Sequence, residues 1–557
     1  WLKRGLTTPC GTSVAAMPLF DFSKTLAQWR STIRDAANQQ WLAVCCLCRE
    51  HDDEDEEQER ALRRKLVEEA GCGAVRRTML LEHKRSEDML GVYSIEPKVV
   101  GRGGYGTVRK ATLTGSGKKL KRAVKEVRKR SLHSANLTQR EIGVLRSLDH
   151  PNICRLFESY EDKKNIYLVL EFIEGRDLFD ELQDDIVKRL TSETRFDEDF
   201  TAHIMRQVFS ALAYCHGHGI IHRDIKLENI MVCQPEGPDA DMPVVKIIDW
   251  GLAVISQAEG FRTQRVEGTK AYLAPEAREE GDFSPGSDMW STGVVLHILL
   301  LGSFPTPADP HPVMAGTEAL SLSALDLLEG LLKFNPAERL TAASALKHPW
   351  IMARDGVRSE NTGIELRRQA TCSFVSFFQA EKLRQAALTA VAMQISSDHL
   401  VKACAQFKAV DLNGDGVISK EEFLQAFKSS FVEGDAAHTH EQWVQACDAI
   451  FDEVDTDGSG EIEFTEWEAA ALGNIDGISD EAIKAAFRVL DYDRSGKISL
   501  QNLARVVRQN SDEIANWLPQ FDLNGDGEID FDEFKAMFRT KAAAAAGDLC
   551  KPVFQAS

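Results

Sequence analysis

Apolar and polar positions follow two rhythms along this chain. Short apolar stretches bounded by glycine read as strands at Val108 to Leu113, across Ala123-Val124-Lys125 and at Asn165 to Phe172, with a Gly115-Ser116-Gly117 turn between the first two. Helical spacing predicts a helix that begins near Glu141 with Leu145 and Leu148 on one face, and another from Phe200 to His216. Ile230 and Met231 read as the start of a further strand. Downstream, Phe374, Phe377, Phe378, Leu383, Leu388, Val391 and Ile395 fall at near-helical intervals, with Arg367, Arg368, Lys382 and Arg384 adding positive charge. Such a basic amphipathic helix is either an ordinary packing helix or one that an apolar groove can grip. Upstream, Trp29, Ile33, Trp41, Leu42 and Val44 recur at loosely helical intervals, and Arg60 to Leu90 alternates charge with Leu, Val and Met as a helix would. No run of eighteen apolar residues occurs, so no spanning helix is expected.

Length and charge narrow the classes. At 557 residues and 62.0 kDa the chain holds more than one core, roughly three to four domains' worth. Its 43% hydrophobic and 27% charged residues are those of a soluble globular protein. A net charge of −20 repels nucleic acid and anionic membrane, so no nucleic-acid partner is expected, and it suits bound divalent cations better. The twelve Cys show no zinc spacing, which favours reduced thiols in a cytoplasmic protein. Cys45, Cys46 and Cys48 leave two readings open: part of a helix packed on the next domain, or acylated anchors beside a membrane-lying helix. Asp52 to Glu57 is an acidic block of the kind that is most often solvated.

Chemistry concentrates in His222-Arg223-Asp224-Ile225-Lys226-Leu227-Glu228-Asn229. In one short loop, Asp224 can accept a hydroxyl proton, Lys226 can neutralise a moving phosphoryl group, and Asn229 can hold a magnesium ion that bridges phosphates. This loop resembles that of eukaryotic protein kinases, and Lys226 resembles the serine/threonine branch. Other stretches follow in that family's order. Gly101, Arg102, Gly103, Gly104, Tyr105, Gly106 and Val108 form a Gly-rich hairpin able to lay backbone amides over ATP phosphates. Ala123 and Lys125 sit on the next strand, and a buried lysine there needs a carboxylate partner, for which Glu141 is expected. The resemblance implies that Leu170 gates the adenine pocket, that Glu171 to Ile173 offer backbone hydrogen bonds, and that Asp249, in Asp249-Trp250-Gly251, chelates magnesium. Trp250 departs from the usual Phe and changes how easily that segment flips. The resemblance also pairs Thr269 with Asp224 and Glu276 with Arg339, and allows Arg223 to meet a phosphate or an acid such as Glu267. Four prolines between Gly302 and Leu320 suggest a reduced substrate-docking helix.

Past residue 400, four segments repeat an oxygen-ligand spacing. Asp411, Asn413, Asp415, the carbonyl of Val417, Ser419 and Glu422 stand at positions 1, 3, 5, 7, 9 and 12 of a loop with Gly416 at position 6, a set that suits seven-coordinate calcium. Asp455, Asp457, Ser459, Glu461, Glu463 and Glu466 repeat it, as do Asp522, Asn524, Asp526, Glu528, Asp530 and Glu533. The third loop, Asp491, Asp493, Ser495, Lys497, Ser499 and Asn502, ends in an amide. It is expected to bind weakly or stay empty while keeping its fold by pairing with the fourth. Taken in order, the chain resembles the calcium-dependent protein kinases: an extension at 1–91, an α/β (α+β) bilobal kinase domain at 92–351, an autoinhibitory junction at 352–400, an all-α calmodulin-like EF-hand domain at 401–541 and a tail at 542–557. That resemblance implies ATP, Mg2+ and Ca2+ as cofactors, protein substrates, and a junction helix bound by the chain's own EF-hands. A pseudokinase scaffold and a membrane-attached calcium adaptor are the rival readings.

Overall fold

In the computed structural model, residues 83–85, 89, 91–103, 106–114, 120–129, 132–189, 197–233, 243–255, 261–263, 268–306, 317–354, 360–378, 380, 382–395, 401–430, 440–472, 478–506 and 511–538 are described. All lie in the unit that spans 53–557. The cysteine cluster, the acidic block, Gly104, Tyr105 and Glu267 fall outside them.

The first layer is a six-stranded sheet built from β1 (His83–Arg85), β2 (Tyr93–Gly103), β3 (Gly106–Leu113), β4 (Lys121–Arg128), β5 (Leu156–Glu161) and β6 (Asn165–Glu171), in the order β1-β5-β6-β4-β3-β2. Val124 and Lys125 point to opposite faces of β4 and both are buried, so the strand is covered on both sides there. Two expectations need correction here. His83–Arg85 is not helical: its backbone pairs parallel with Ser159 to Glu161, so the sheet recruits its edge strand from before residue 92. Helix α1 runs Leu132–Ser147, so Glu141 sits in its middle and Leu148 beyond its end.

Below the sheet, the short strand β7 (Gly175–Asp177) and α2 (Leu178–Arg189) lead to α3 (Glu198–Gly217). Asp197 caps α3 by accepting from Phe200 N at 2.8 Å, and Ile204, Met205, Val208 and Leu212 bury its inner face. Strands β8 (Ile220–Ile221), β9 (Ile230–Cys233), β10 (Val244–Ile247) and β11 (Val254–Ile255) frame the loops on which the predicted chemistry falls. Thr263 lies just after β12 (Phe261–Arg262), which pairs with β13 (Asp282–Phe283), and α4 (Pro275–Glu280) lies between them. Helix α5 (Pro285–Leu301) is the lobe's central helix. Its apolar residues are buried nearly all round, Pro285 opens it, and Gly302 ends it at φ 68°. Helices α6 (Leu322–Leu331), α7 (Ala342–Leu346) and α8 (Pro349–Met352) complete the lobe.

The expected single amphipathic helix at 374–395 is two helices, α9 (Glu360–Phe378) and α10 (Lys382–Ala392). The break is stabilised by Gln385, whose amide donates to the Phe377 carbonyl at 2.9 Å and so satisfies a C-terminal group of α9. Both pack into the helices that follow: α11 (Val401–Val410), α12 (Lys420–Ser430), α13 (His440–Val454), α14 (Phe464–Leu472), α15 (Asp480–Leu490), α16 (Leu500–Val506), α17 (Ser511–Trp517) and α18 (Phe531–Ala536). Phe374 lies at the centre of this core, its ring 4.8 Å from Phe423 and 5.0 Å from Trp467. The helices flank four turns joined in pairs. In the first pair β14 (Ile418–Ser419) meets β15 (Glu461–Ile462), and in the second Ile498 and Ile529 exchange backbone hydrogen bonds at 2.8 and 3.0 Å.

Candidate active site

The loop between β8 and β9 takes its shape from a carboxylate beneath it. Asp288, in the first turn of α5 and 1% exposed, accepts from His222 N at 2.8 Å and Arg223 N at 2.9 Å, with His216 Nε2 3.0 Å away. Held this way, Arg223 adopts φ 70°, and Asp249 opposite adopts φ 59°. A left-handed backbone costs a non-glycine residue about 1–2 kcal/mol, and here it falls on the two residues that aim the central side chains. Asp224 Oδ1 accepts from Thr269 Oγ1 at 2.9 Å and Thr269 N at 3.1 Å. Asn229 Nδ2 donates to the Asp224 carbonyl at 2.8 Å and to Oδ2 at 3.0 Å, and Lys226 Nζ reaches both Asp224 Oδ2 and Thr269 Oγ1, the latter at 3.0 Å. Asp224, Lys226, Asn229 and Thr269 thus form one hydrogen-bonded group.

Across the cleft, Lys125 Nζ stands 2.6 Å from Glu141 Oε1 and 2.9 Å from Asp249 Oδ1. Burial works against the lysine's charge, yet Asp249 and Glu141 together hold it above the ordinary lysine range. The same ammonium holds the Asp249 carboxyl below its usual range, against burial. Burial raises Glu141, with Lys125 pulling back. Register places Val108 beside Lys125 and Ala123 beside Leu170, so the hairpin, the lysine strand and the hinge share one wall. A side chain at Gly106 would meet the Glu126 carbonyl at 2.6 Å, which leaves room only for glycine there. Glu171 turns its buried carboxylate away from the cleft to Lys246 at 3.0 Å, and its N–H donates to the Arg155 carbonyl. The Glu171 carbonyl accepts from the Cys154 thiol. Trp250 is 1% exposed with its ring edge-on to His222 at 4.5 Å. Arg223 spreads over Phe283 at 4.3 Å and donates to the Leu252 carbonyl. Glu276 receives two parallel bonds from Arg339, at 2.6 and 2.8 Å.

In the first, second and fourth turns the position-12 glutamate reaches back across its loop. Glu422 accepts from Leu412 N and Asn413 N, Glu466 from Thr456 N and Asp457 N, and Glu533 from Leu523 N and Asn524 N, which fixes each position-12 carboxylate across its loop. Burial pushes Asp411 up to about 8, with Asp415 and Glu422 adding like charge. Burial, Asp457 and Glu463 push Glu466 well above the usual range. In the second loop, carboxylate oxygens of Asp455, Asp457 and Glu466 lie within 4.8 Å of one another. Clustered, raised carboxylates of this sort fit a divalent cation. The third turn does not fit. Asn502 directs its NH2 toward Asp493 Oδ1 at 3.3 Å and the Lys497 carbonyl at 3.4 Å, putting a donor among the would-be ligand atoms, while the Lys497 ammonium crosses to Asp526.

One set of functional contacts was not anticipated at all. Arg155, just before β5, donates to the Ala392 and Ile395 carbonyls at 3.0 and 3.1 Å and to Glu468 Oε2 at 2.8 Å. Arg122 donates to the Gln394 carbonyl at 2.6 Å. The two arginines cap the C-terminal end of α10, where carbonyls lack helical partners. Arg488 on α15 approaches Glu158 at 3.4 Å, and Ala485 joins the core beneath the sheet with Tyr93 and Phe157. No local motif in the sequence marks these residues, because each pair is more than two hundred and thirty positions apart.

Comparison with known proteins agrees with this arrangement. The protein kinase domain family matches residues 94–351, and the EF-hand domain pair matches 401–472 and 480–539. Calcium-dependent protein kinase 5 of Plasmodium falciparum (isolate 3D7) is 33% identical over 474 residues, 81% of this chain and 78% of that protein. Calcium-dependent protein kinase 3 of Plasmodium berghei (strain Anka) is 32% identical over 472 residues, 81% of this chain and 80% of its own length. With a kinase cleft, paired EF-hand turns and relatives matched across both, the chain belongs to the calcium-dependent protein kinases.

Proposed function

We propose that this chain is a calcium-activated serine/threonine kinase, autoinhibited by its junction and released when its EF-hands fill. The observation that carries the reading is a pairing of two states. The Lys125–Glu141–Asp249 triad is assembled, and the junction helices lie inside the EF-hand core, with α10 capped from behind by Arg122 and Arg155. Bound ATP supplies the phosphoryl group, with magnesium at Asp249 and Asn229. Asp224 accepts the proton of a serine or threonine hydroxyl, Lys226 offsets charge beside it, and Thr269 keeps the Asp224 carboxylate turned toward the cleft. Lys125, fixed by Glu141, orients phosphate oxygens. Gly101, Arg102, Gly103 and Gly106 cover them, and Val108, Ala123, Leu170 and Ile173 line the nucleotide.

Calcium control follows from where the junction goes. Phe374, Phe377, Leu383 and Val391 are buried among EF-hand side chains, and burying each such side chain is worth about 1.5–3 kcal/mol. A junction that lacks this groove has the same apolar face to bury, and the catalytic cleft is where it does so. The test is phosphate transfer by the full chain to an acceptor peptide, with Mg-ATP, in micromolar free calcium and in excess EGTA. Transfer is expected only with calcium, and Asp224→Asn should lower it at least about 10²-fold. Equal rates in calcium and EGTA would reject the coupling, and an active Asp224→Asn variant would reject the assignment of the base.

A further inference from the structure

The second calcium loop is wired into the kinase domain. Glu463, its position-9 residue, accepts from the Tyr214 hydroxyl of α3 at 3.1 Å. Two residues on, Thr465 donates from its backbone N–H to Asp149 Oδ2 and from Oγ1 to Asp149 Oδ1, both at 2.9 Å. Helix α14 starts at Phe464, so the Thr465 N–H is one of the first-turn donors without a helical partner. A carboxylate from another domain therefore caps the helix that leaves this loop. The circuit closes on itself, because Asp149 N donates to the Tyr214 hydroxyl at 3.1 Å. Asp149 is 1% exposed and Thr465 2%, so these bonds are shielded from water. Between Glu463 and Thr465 on one side and Glu468 on the other stands Glu466, the carboxylate that spans the loop, and Glu468 is itself held by Arg155 at 2.8 Å.

We propose that the kinase domain completes the second calcium site, with Tyr214 and Asp149 as positioning residues that hold Glu463 and the base of α14 where the ion needs them. The proposal rests on the calcium reading of these loops. Its consequence is reciprocal: whatever affinity the docked kinase lends the ion, the ion returns as stability of the docked arrangement. The partner end is well placed to use it. Asp149 lies two residues past the end of α1, the helix that carries Glu141 to Lys125.

The experiment is calcium uptake by the full-length chain, titrated against a chromophoric chelator. It compares the parent, Tyr214→Phe, Asp149→Asn, Glu466→Gln and the double variant Tyr214→Phe/Glu466→Gln. Tyr214→Phe keeps the ring against His218 at 4.3 Å and His150 at 5.4 Å and removes only the hydroxyl. It should weaken one calcium constant about five-fold, the low end of typical coupling, without changing the number of ions bound. Asp149→Asn should shift the same constant in the same direction. In the Glu466→Gln background, where that site is already spoiled, Tyr214→Phe should add nothing. A Tyr214→Phe titration that superimposes on the parent, or a shift that persists beside Glu466→Gln, would overturn this proposal alone. A parent that takes up no calcium would overturn it together with the reading beneath it.

Discussion

Asp288 shows how one side chain prepares the site without touching a reactant. Its two oxygens accept two consecutive backbone N–H groups and a histidine, and that grip lets Arg223 take the left-handed backbone that turns Asp224 into the cleft. Burial alone would raise its carboxyl, but the bonds from His216 and the backbone hold it below the usual Asp range. A carboxyl lowered in the folded state contributes stability above the ordinary Asp value of about 4, and that stability is lost as pH falls through the folded value. Asp288→Asn turns one acceptor into a donor facing an N–H, and should cost about 2–4 kcal/mol near pH 7. Urea midpoints of the two proteins should therefore differ widely at pH 7 and begin to converge as pH falls below about 4, and a gap that stays constant would refute the role. Residues of this kind also mark the limit of what the chain discloses on reading. Asp224, Lys226 and Asn229 are legible because their chemistry demands a short local spacing. Asp149, Arg155 and Tyr214 are not, because their partners are distant in sequence and nothing nearby requires them to be charged or hydroxylic.

Among elements, the third calcium turn is the one that breaks the pattern, and it does so at three positions. The other turns place Gly414, Gly458 and Gly525 where this one places Arg494, which takes φ 60° and bears the steric cost a glycine avoids. Lys497 sends its ammonium to Asp526 of the neighbouring turn, and Asn502 turns its amide hydrogens toward Asp493 and the Lys497 carbonyl. The turn is nonetheless tied to its neighbour, because Ile498 and Ile529 bond across the pair. Equilibrium dialysis at saturating calcium should count three ions per chain, and Asn502→Glu should bring the count to four by restoring the spanning carboxylate. Four tight ions in the parent, or no gain in the variant, would count against this account. Element type was legible at most elements, His83–Arg85 excepted, while element limits were not. The helix carrying Glu141 begins nine residues earlier than its apolar face suggested, and the junction breaks at a point fixed by Gln385 reaching back to Phe377. Both limits depend on tertiary partners that periodicity does not contain.

At the scale of the whole molecule, regulatory and catalytic parts meet through buried charge, and Arg155 is a point where several such contacts converge. Its guanidinium fork binds two carbonyls at the end of α10 and the carboxylate of Glu468, which is fully buried. The pair's worth lies less in attraction than in what its loss leaves behind. Arg155→Ala strands a buried carboxylate and uncaps a helix end, and breaking a buried pair this way typically costs 3–5 kcal/mol. If the junction moves as proposed, these contacts belong to the docked arrangement, and the penalty falls there. The variant should therefore need more calcium and reach a lower rate at saturation, while matching the parent in excess EGTA. Arg155→Lys should recover little, since the three donors of an ammonium radiate from one nitrogen and cannot reproduce the two separated nitrogens of the guanidinium fork. Hydrogen exchange supplies an independent reading: amides of 382–392 should exchange faster in Arg155→Ala with calcium present. If both the saturating rate and that exchange stay at parental values, the buried arginine is packing and not a strut, and the kinase must be held active by other contacts.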